Sequence, residues 1–175
     1  MLTGKAKIVA ALQGSDRRSI GRANQVATLV LQQPKLFPQL IACLWHDNPT
    51  IRMRAADAAE KVSVKKPRLL DGHKPELLGL LAEAEQIELR WHLAAMIPRL
   101  RLTPAERQRA VTTLQRYLDD RSSIVKTFAL QGLADLSRND VNLRAKVKQL
   151  LEEAAHSGTP AMRARARHLL KKFPA

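Results

Sequence analysis

The sequence predicts an all-α protein in which about five helix pairs stack side by side. Three observations lead to this prediction. Aromatic residues make up only 3% of the chain, no Asn-Gly or Asp-Gly turn joins two segments of alternating polarity, and one motif recurs at a nearly constant spacing. The first two argue against β-structure, which is rich in aromatic residues and hairpin turns. The third is typical of stacked helical repeats.

The recurring motif has an apolar residue, then a cation, then two variable residues and a small or apolar pair. Its four copies start at Ile51, Leu89, Val125 and Met162, which are 38, 36 and 37 residues apart. Within a copy, apolar residues recur at helical spacing, so each copy is predicted to be an amphipathic helix. Such a helix has an apolar stripe that must be buried against neighbouring helices.

Another amphipathic helix is predicted before each copy, over residues 36–45, 75–84, 104–118 and 143–155. A further pair is predicted at the front of the chain, over residues 5–12 and 16–33. The unit is therefore a first helix, a tight turn and a second helix. We expect a single domain, residues 1–175, whose pairs cover approximately 3–33, 35–67, 74–101, 104–138 and 142–173.

Turn chemistry supports these divisions. Asn48, Thr103 and Thr159 each precede a proline, which places a capping side chain before a residue suited to the first helical position. Thr103 and Glu106 also have the spacing of a capping box. Pro98 lies inside an otherwise helical stretch, so we expect the second helix of the third pair to kink or to end early there.

The motif resembles the second helix of HEAT repeats, in which an apolar residue is commonly followed by Arg and then a small pair, as in Ile51, Arg52 and Ala55-Ala56. The resemblance covers about residues 36–173. It implies a right-handed α-α superhelix, or solenoid, whose second helices line the concave face. It also implies a surface that holds a protein or, less often, a nucleic acid, and the repeat itself is structural.

The charge of the chain points to an anionic partner. Lys and Arg number 30 against 16 Asp and Glu, which gives a formal net charge of +14. We expect a non-catalytic scaffold whose concave basic surface binds an acidic protein. The candidate contact residues are Arg54, Arg90, Trp91, His92, Arg163, Arg165, Arg167 and Lys171. Arg17, Arg18 and Arg22 form a further cationic cluster in the first pair.

Two alternatives stay open for these cations. The first is sequence-nonspecific binding of nucleic acid through the duplex backbone, because six aromatic residues are too few for a surface that stacks bases. A protein partner would instead favour apolar anchors such as Trp45 and Trp91. The second alternative is structural: the cation of each motif pairs with an acid of the preceding turn. These pairs would be Asp47 with Arg52, Glu85 with Arg90, and Asp120 with Lys126.

An enzymatic alternative comes from the same resemblance, because some DNA glycosylases for alkylated bases consist of HEAT-like repeats with Trp and Asp in a basic groove. Trp91 and Asp57 are the candidates here, but Ala95 follows Trp91 by one turn and no later second helix carries another Trp. We therefore predict no enzyme activity and no small-molecule substrate.

Other features of the sequence exclude further classes of site. The five histidines have no paired metal-ligand spacing, so we expect no metal and no cofactor. Cys43 lies in an apolar run and is predicted to be buried and reduced. No apolar run approaches the ~20 residues that cross a bilayer. We expect a cytoplasmic protein without a membrane partner, either monomeric or weakly dimeric through its terminal repeats.

Overall fold

The computed structural model of the chain describes residues 4–14 and 19–173, and these ranges contain ten α-helices and no β-strand. The helices are α1 (Gly4–Leu12), α2 (Ala23–Gln32), α3 (Phe37–Ala42), α4 (Pro49–Lys65), α5 (Lys74–Glu83), α6 (Ile87–Met96), α7 (Pro104–Tyr117), α8 (Ser123–Ser137), α9 (Val141–Ser157) and α10 (Pro160–Leu170). Short 3-10 segments cover Pro34–Leu36, Cys43–Trp45, Pro67–His73 and Ile97–Arg99. The predicted all-α class is confirmed.

The even-numbered helices form one layer. Helix α2 packs on α4, α4 on α6, α6 on α8, and α8 on α10. The odd-numbered helices lie against this layer, and α5 also packs on α7. The buried apolar residues form one cluster that runs from Ile8 in α1 to Leu169 in α10. Side chains of the even helices that packing does not cover therefore share one face of the molecule.

The helices predicted after the first pair correspond to observed helices. The four motif copies lie in α4, α6, α8 and α10, and the helices predicted before them are α3, α5, α7 and α9. The first pair differs, because α2 begins at Ala23. Gly21, two residues earlier, has φ of +53°, a left-handed conformation through which a helix does not continue. The predicted start of this helix at Asp16 lies outside the described residues.

The predicted caps are present. The side chains of Asn48, Thr103 and Thr159 accept backbone N–H groups at the starts of α4, α7 and α10, and Thr103 forms the capping box with Glu106. Pro98 has the predicted effect, since α6 ends at Met96 and continues as a 3-10 turn.

Cys43 is fully buried, as predicted. Burial raises the pKa of its thiol. Within the described ranges, every helix falls short of the length and apolar character that a membrane crossing requires.

Candidate macromolecule-binding surface

Arg54, one of the predicted contact residues, lies inside the protein. Its exposed fraction is 2%, so the expectation that it lines an open concave face is wrong. From Nη1 it donates to the carbonyl oxygens of Leu12 (2.9 Å) and Gln13 (2.7 Å), and from Nε to that of Ser19 (3.0 Å). Carbonyl groups at a helix C-terminus lack partners inside the helix. Arg54 therefore anchors the end of α1 and the chain that follows it.

Two glycines leave room for this guanidinium. Gly14 and Gly21 both have positive φ, and a Cβ atom built on either would lie 2.7 Å or 2.8 Å from an Arg54 side-chain atom. Larger residues at these positions would meet both backbone strain and a clash. The two glycines and the arginine thus pack together, and a side chain that was predicted to contact a partner is used inside the protein.

His92 is also buried, with an exposed fraction of 1%. Burial, with a smaller contribution from the positive charge of Lys61, lowers its pKa to about 3. The ring is neutral near pH 7 and carries none of the positive charge expected of it. Its Nδ1 atom is buried without a hydrogen bond, and the ring lies against Trp91 with centroids 3.3 Å apart.

The arginines at the second position of the motif hold the turns in place. Each donates to a carbonyl oxygen of the turn before its own helix. The pairs are Arg52 with His46 (2.8 Å), Arg90 with Ala84 (2.6 Å) and Arg163 with Gly158 (2.9 Å). Arg90 and Arg163 are half-buried. Much of the donor capacity of these two predicted contact residues is therefore used inside the protein.

Two of these arginines also reach the next repeat. Arg52 Nε donates to Gln86 (2.8 Å), and Arg90 Nη1 donates to the carboxylate of Asp120. The predicted pairing of Arg52 and Arg90 with the carboxylate of their own turn is therefore wrong. Burial raises the pKa of Asp120, but the Ser122 backbone N–H and the Arg90 guanidinium outweigh it, and the net pKa lies below the usual value.

Three consecutive even helices meet at an aromatic and cationic contact. Trp91 of α6 packs on Phe128 of α8, with ring centroids 5.0 Å apart. The guanidinium of Arg165 on α10 lies 5.8 Å from the centroid of Phe128 and donates to Gln131 of α8 at 2.9 Å. All of these side chains are half-buried. The structure brings together two of the predicted contact residues, Trp91 and Arg165.

A groove of about 310 Å³ continues from this contact along α8 and α10. It is lined by Gln131, Ala134, Arg138, His168, Leu169, Lys172 and Phe173. Arg138 and Lys172 are exposed, and Arg138 also donates to Asp135 at 2.9 Å. We call the combined region the aromatic–basic surface. It consists of Trp91, Phe128, Gln131, Arg138, Arg165, His168 and Lys172.

Two further predicted residues are exposed, Arg167 on α10 and Lys171 directly after it. The structure gives neither an ion pair with any residue it describes. Arg22 of the first pair is exposed, whereas Arg17 and Arg18 lie outside the described residues. Sequence reasoning did not assign Phe128, Gln131, Arg138 or His168 to the surface. Phe128 could have been found, because it shares the fourth position of the motif with Arg54, His92 and Arg165.

The layer has a different chemistry toward the N-terminus. Asp57, the candidate carboxylate of the enzymatic alternative, is buried and bound to Lys61 at 2.6 Å. Lys61 also donates to Asn24 at 2.6 Å. Throughout ranges 4–14 and 19–173, no group of three or more His, Cys, Asp and Glu side chains is arranged to hold a metal ion.

No protein-family model, curated protein or solved structure matches this chain. Its functional interpretation therefore rests on the geometry and charge described above.

Proposed function

We propose that this protein is a non-catalytic adaptor that holds an acidic segment of a partner protein on the aromatic–basic surface. The observation that carries the proposal is the contact of Trp91, Phe128 and Arg165 from three successive helices. Aromatic and Arg side chains provide most of the energy in protein interfaces when they lie together and are partly desolvated. The neighbouring cations Arg138 and Lys172 suit an acidic chain that continues along the groove.

We further propose that the helix pairs form a right-handed, HEAT-like solenoid with this surface on its concave side. The consecutive packing of α2, α4, α6, α8 and α10 supports a stack in which each pair contacts mainly its neighbours. In α10, Ala166 and Leu169 of the apolar stripe are buried, and Met162 and Leu170 are half-buried. We expect a monomer or a weak dimer through the terminal repeats.

Nucleic-acid binding is a second candidate, and the exposed cations Arg167 and Lys171 favour it. Helix α10, which contains Arg167 and directly precedes Lys171, has no Asp or Glu, so its own side chains would not repel a phosphate backbone. Such binding would weaken steeply with salt and would discriminate little between sequences. It would not need Trp91, which provides the distinction between the two candidates.

The test compares two labelled probes by fluorescence anisotropy across a salt series. One is a Glu-rich peptide with interspersed leucines, and the other is a duplex DNA. The variants are Trp91→Ala, Arg165→Glu and the double variant Arg167→Glu/Lys171→Glu. Lys148→Glu, on the exposed side of α9, makes the same charge change as Arg165→Glu away from the surface and serves as the matched control.

We expect Trp91→Ala and Arg165→Glu each to weaken peptide binding about tenfold or more, as loss of an interface hot spot does. Lys148→Glu should change it less than about twofold, because a distant exposed charge acts through screened solvent. Equal effects of Arg165→Glu and Lys148→Glu would refute the proposed surface. Tight DNA binding that depends on Arg167 and Lys171 but not on Trp91 would establish the nucleic-acid candidate instead.

A further inference from the structure

The cation of the third motif copy, Lys126, differs from those of the two copies before it. In those copies the next turn supplies a side-chain acceptor, Gln86 for Arg52 and Asp120 for Arg90. Ser157 and Thr159 occupy the equivalent positions before α10, and their hydroxyls contact the Glu153 carbonyl oxygen at 2.9 Å and Ser123 Oγ at 2.7 Å. The Lys126 ammonium forms neither a hydrogen bond nor an ion pair with the residues that the structure describes. No side-chain acceptor from the next turn therefore bonds to the cation of this copy.

Lys126 lies in the wall of an open groove of about 520 Å³ between α7, α8, α9 and the start of α10. The groove exists because α7 and α9 make at most marginal contact, whereas α5 and α7 pack together. Its apolar lining comes from Leu118, Leu130, Leu150 and Met162. A cation beside an apolar lining suits a ligand that carries a carboxylate next to an apolar group.

We infer that this groove, which we call the Lys126 groove, binds an acidic side chain of a partner protein together with an adjacent apolar residue. The partner's carboxylate would accept a hydrogen bond from the Lys126 ammonium, as the Asp120 carboxylate accepts one from Arg90. Transferring a half-buried ammonium from water to a carboxylate gives a charge-assisted hydrogen bond, which is stronger than one between neutral groups.

Two carboxylates in the groove indicate a further feature of the partner segment. Asp119 and Glu153 also line it, and Glu153 accepts from Gln149 at 3.2 Å. These carboxylates favour a basic residue beside the acidic one in the partner. We therefore expect the recognised segment to contain an apolar, an acidic and a basic residue. The Lys126 groove is lined by none of the residues of the aromatic–basic surface, so the inference does not depend on the proposed function.

Three variants test the role of Lys126. Lys126→Gln removes the cation. Thr159→Asp adds a carboxylate to the same groove, and Asp caps a helix as well as Thr does. The new carboxylate should pair with the Lys126 ammonium and compete with the carboxylate of the partner. Thr159→Asn is its matched control, because Asn also caps α10 but carries no charge. Circular dichroism melting of each variant verifies that the fold is retained.

The probe is the tripeptide acetyl-Leu-Asp-Lys-amide, titrated into the full chain while the methyl NMR signals of Leu118, Leu130, Leu150 and Met162 are followed. We expect saturable shifts with a dissociation constant of about 1 mM, which is in reach of a ligand of this size. Lys126→Gln and Thr159→Asp should weaken binding about fivefold or more, and Thr159→Asn should leave it within about twofold. The peptide with Asn in place of Asp should bind about fivefold more weakly.

Three results would overturn the inference. They are the absence of saturable shifts up to about 20 mM peptide, well above the expected constant, equal binding of the Asp and Asn peptides, and unchanged binding to Lys126→Gln. Thr159→Asn losing affinity as much as Thr159→Asp would show that the cap, and not the added carboxylate, is responsible, and would also refute it. None of these outcomes bears on Trp91 or Arg165, so the proposed function stands or falls separately.

Discussion

Replacing Arg54 with Met tests whether this buried arginine fixes the first helix to the rest of the protein. Met fills a similar elongated volume but cannot donate a hydrogen bond. The carbonyl oxygens of Leu12, Gln13 and Ser19 would lose a charged donor that reaches all three. Lys could not substitute fully, because one ammonium group does not reproduce the fixed fork of a guanidinium.

The expected loss of stability is set by opposing terms. Three hydrogen bonds from a charged donor contribute ~1.5–3 kcal/mol each. Against this, the wild-type protein bears a desolvation penalty of several kcal/mol for burying the guanidinium, which Met does not. We therefore expect the free energy of unfolding to fall by about 2–4 kcal/mol, a large part of the ~5–15 kcal/mol typical of a folded domain.

The assay is urea unfolding combined with hydrogen exchange of backbone amides. Arg52→Met is the matched control, because Arg52 also makes three hydrogen bonds, to Gln86, His46 and Asp47. Arg52 is only half-buried, so water can replace its contacts and the expected loss is about 1 kcal/mol. Exchange in α1 should accelerate only in Arg54→Met. A loss no larger than that of Arg52→Met, or unchanged exchange in α1, would refute the assigned role.

Three further predictions concern single groups. His92→Leu should make the protein lose less stability in acid. The folded-state pKa of His92 is about 3, whereas this histidine binds a proton below about pH 6.5 in the unfolded chain, so acid favours unfolding of the wild type. Urea unfolding between these two pH values measures the difference in stability. The hydrogen bond from Lys74 and then the Thr103 backbone N–H lower the pKa of Glu106 to about 2. Glu106→Gln should therefore make the free energy of unfolding fall less steeply as the pH drops below about 4.5. An unchanged slope of stability against pH would contradict this. Tyr117→Phe should cost about 1–2 kcal/mol, because the buried hydroxyl donates to the Leu81 carbonyl oxygen. Burial raises the pKa of this only tyrosine to about 12, and an alkaline absorbance titration showing an ordinary value would contradict the burial.

The helices and their caps could be predicted because their determinants are local. Helical periodicity, the Thr103 capping box and the end of α6 before Pro98 each depend on residues within one or two turns of the chain. The start of α2 was placed too early for the same reason, since the signal at Gly21 is a single left-handed residue. Nothing in a hydrophobic pattern marks such a residue as the point where a helix must begin.

The interior role of Arg54 could not be predicted in this way. Its acceptors are about 40 residues away in the sequence, and they become neighbours only when α1 packs on α4. The partners of Arg52 and Arg90 were misassigned for a related reason. Side chains lean toward the N-terminus of their helix, which brings each guanidinium onto the carbonyl oxygens of the preceding turn. Each guanidinium therefore donates to the nearest backbone carbonyl oxygen in space and not to the acid nearest to it in the sequence.

The fourth position of the motif shows why charge alone does not locate the binding surface. Along the layer this position is held by Arg54, His92, Phe128 and Arg165: the first is used inside the protein, the second is neutral, and the last two are half-buried. A cation can donate hydrogen bonds to a partner only through N–H groups that the fold leaves unused. The net charge of +14 counts Arg54 like any exposed arginine and His92 as neutral, so it does not separate the donors used inside the protein from those open to a partner. At this position the two N-terminal residues are buried, whereas the two C-terminal residues, Phe128 and Arg165, belong with Trp91 to the proposed binding surface.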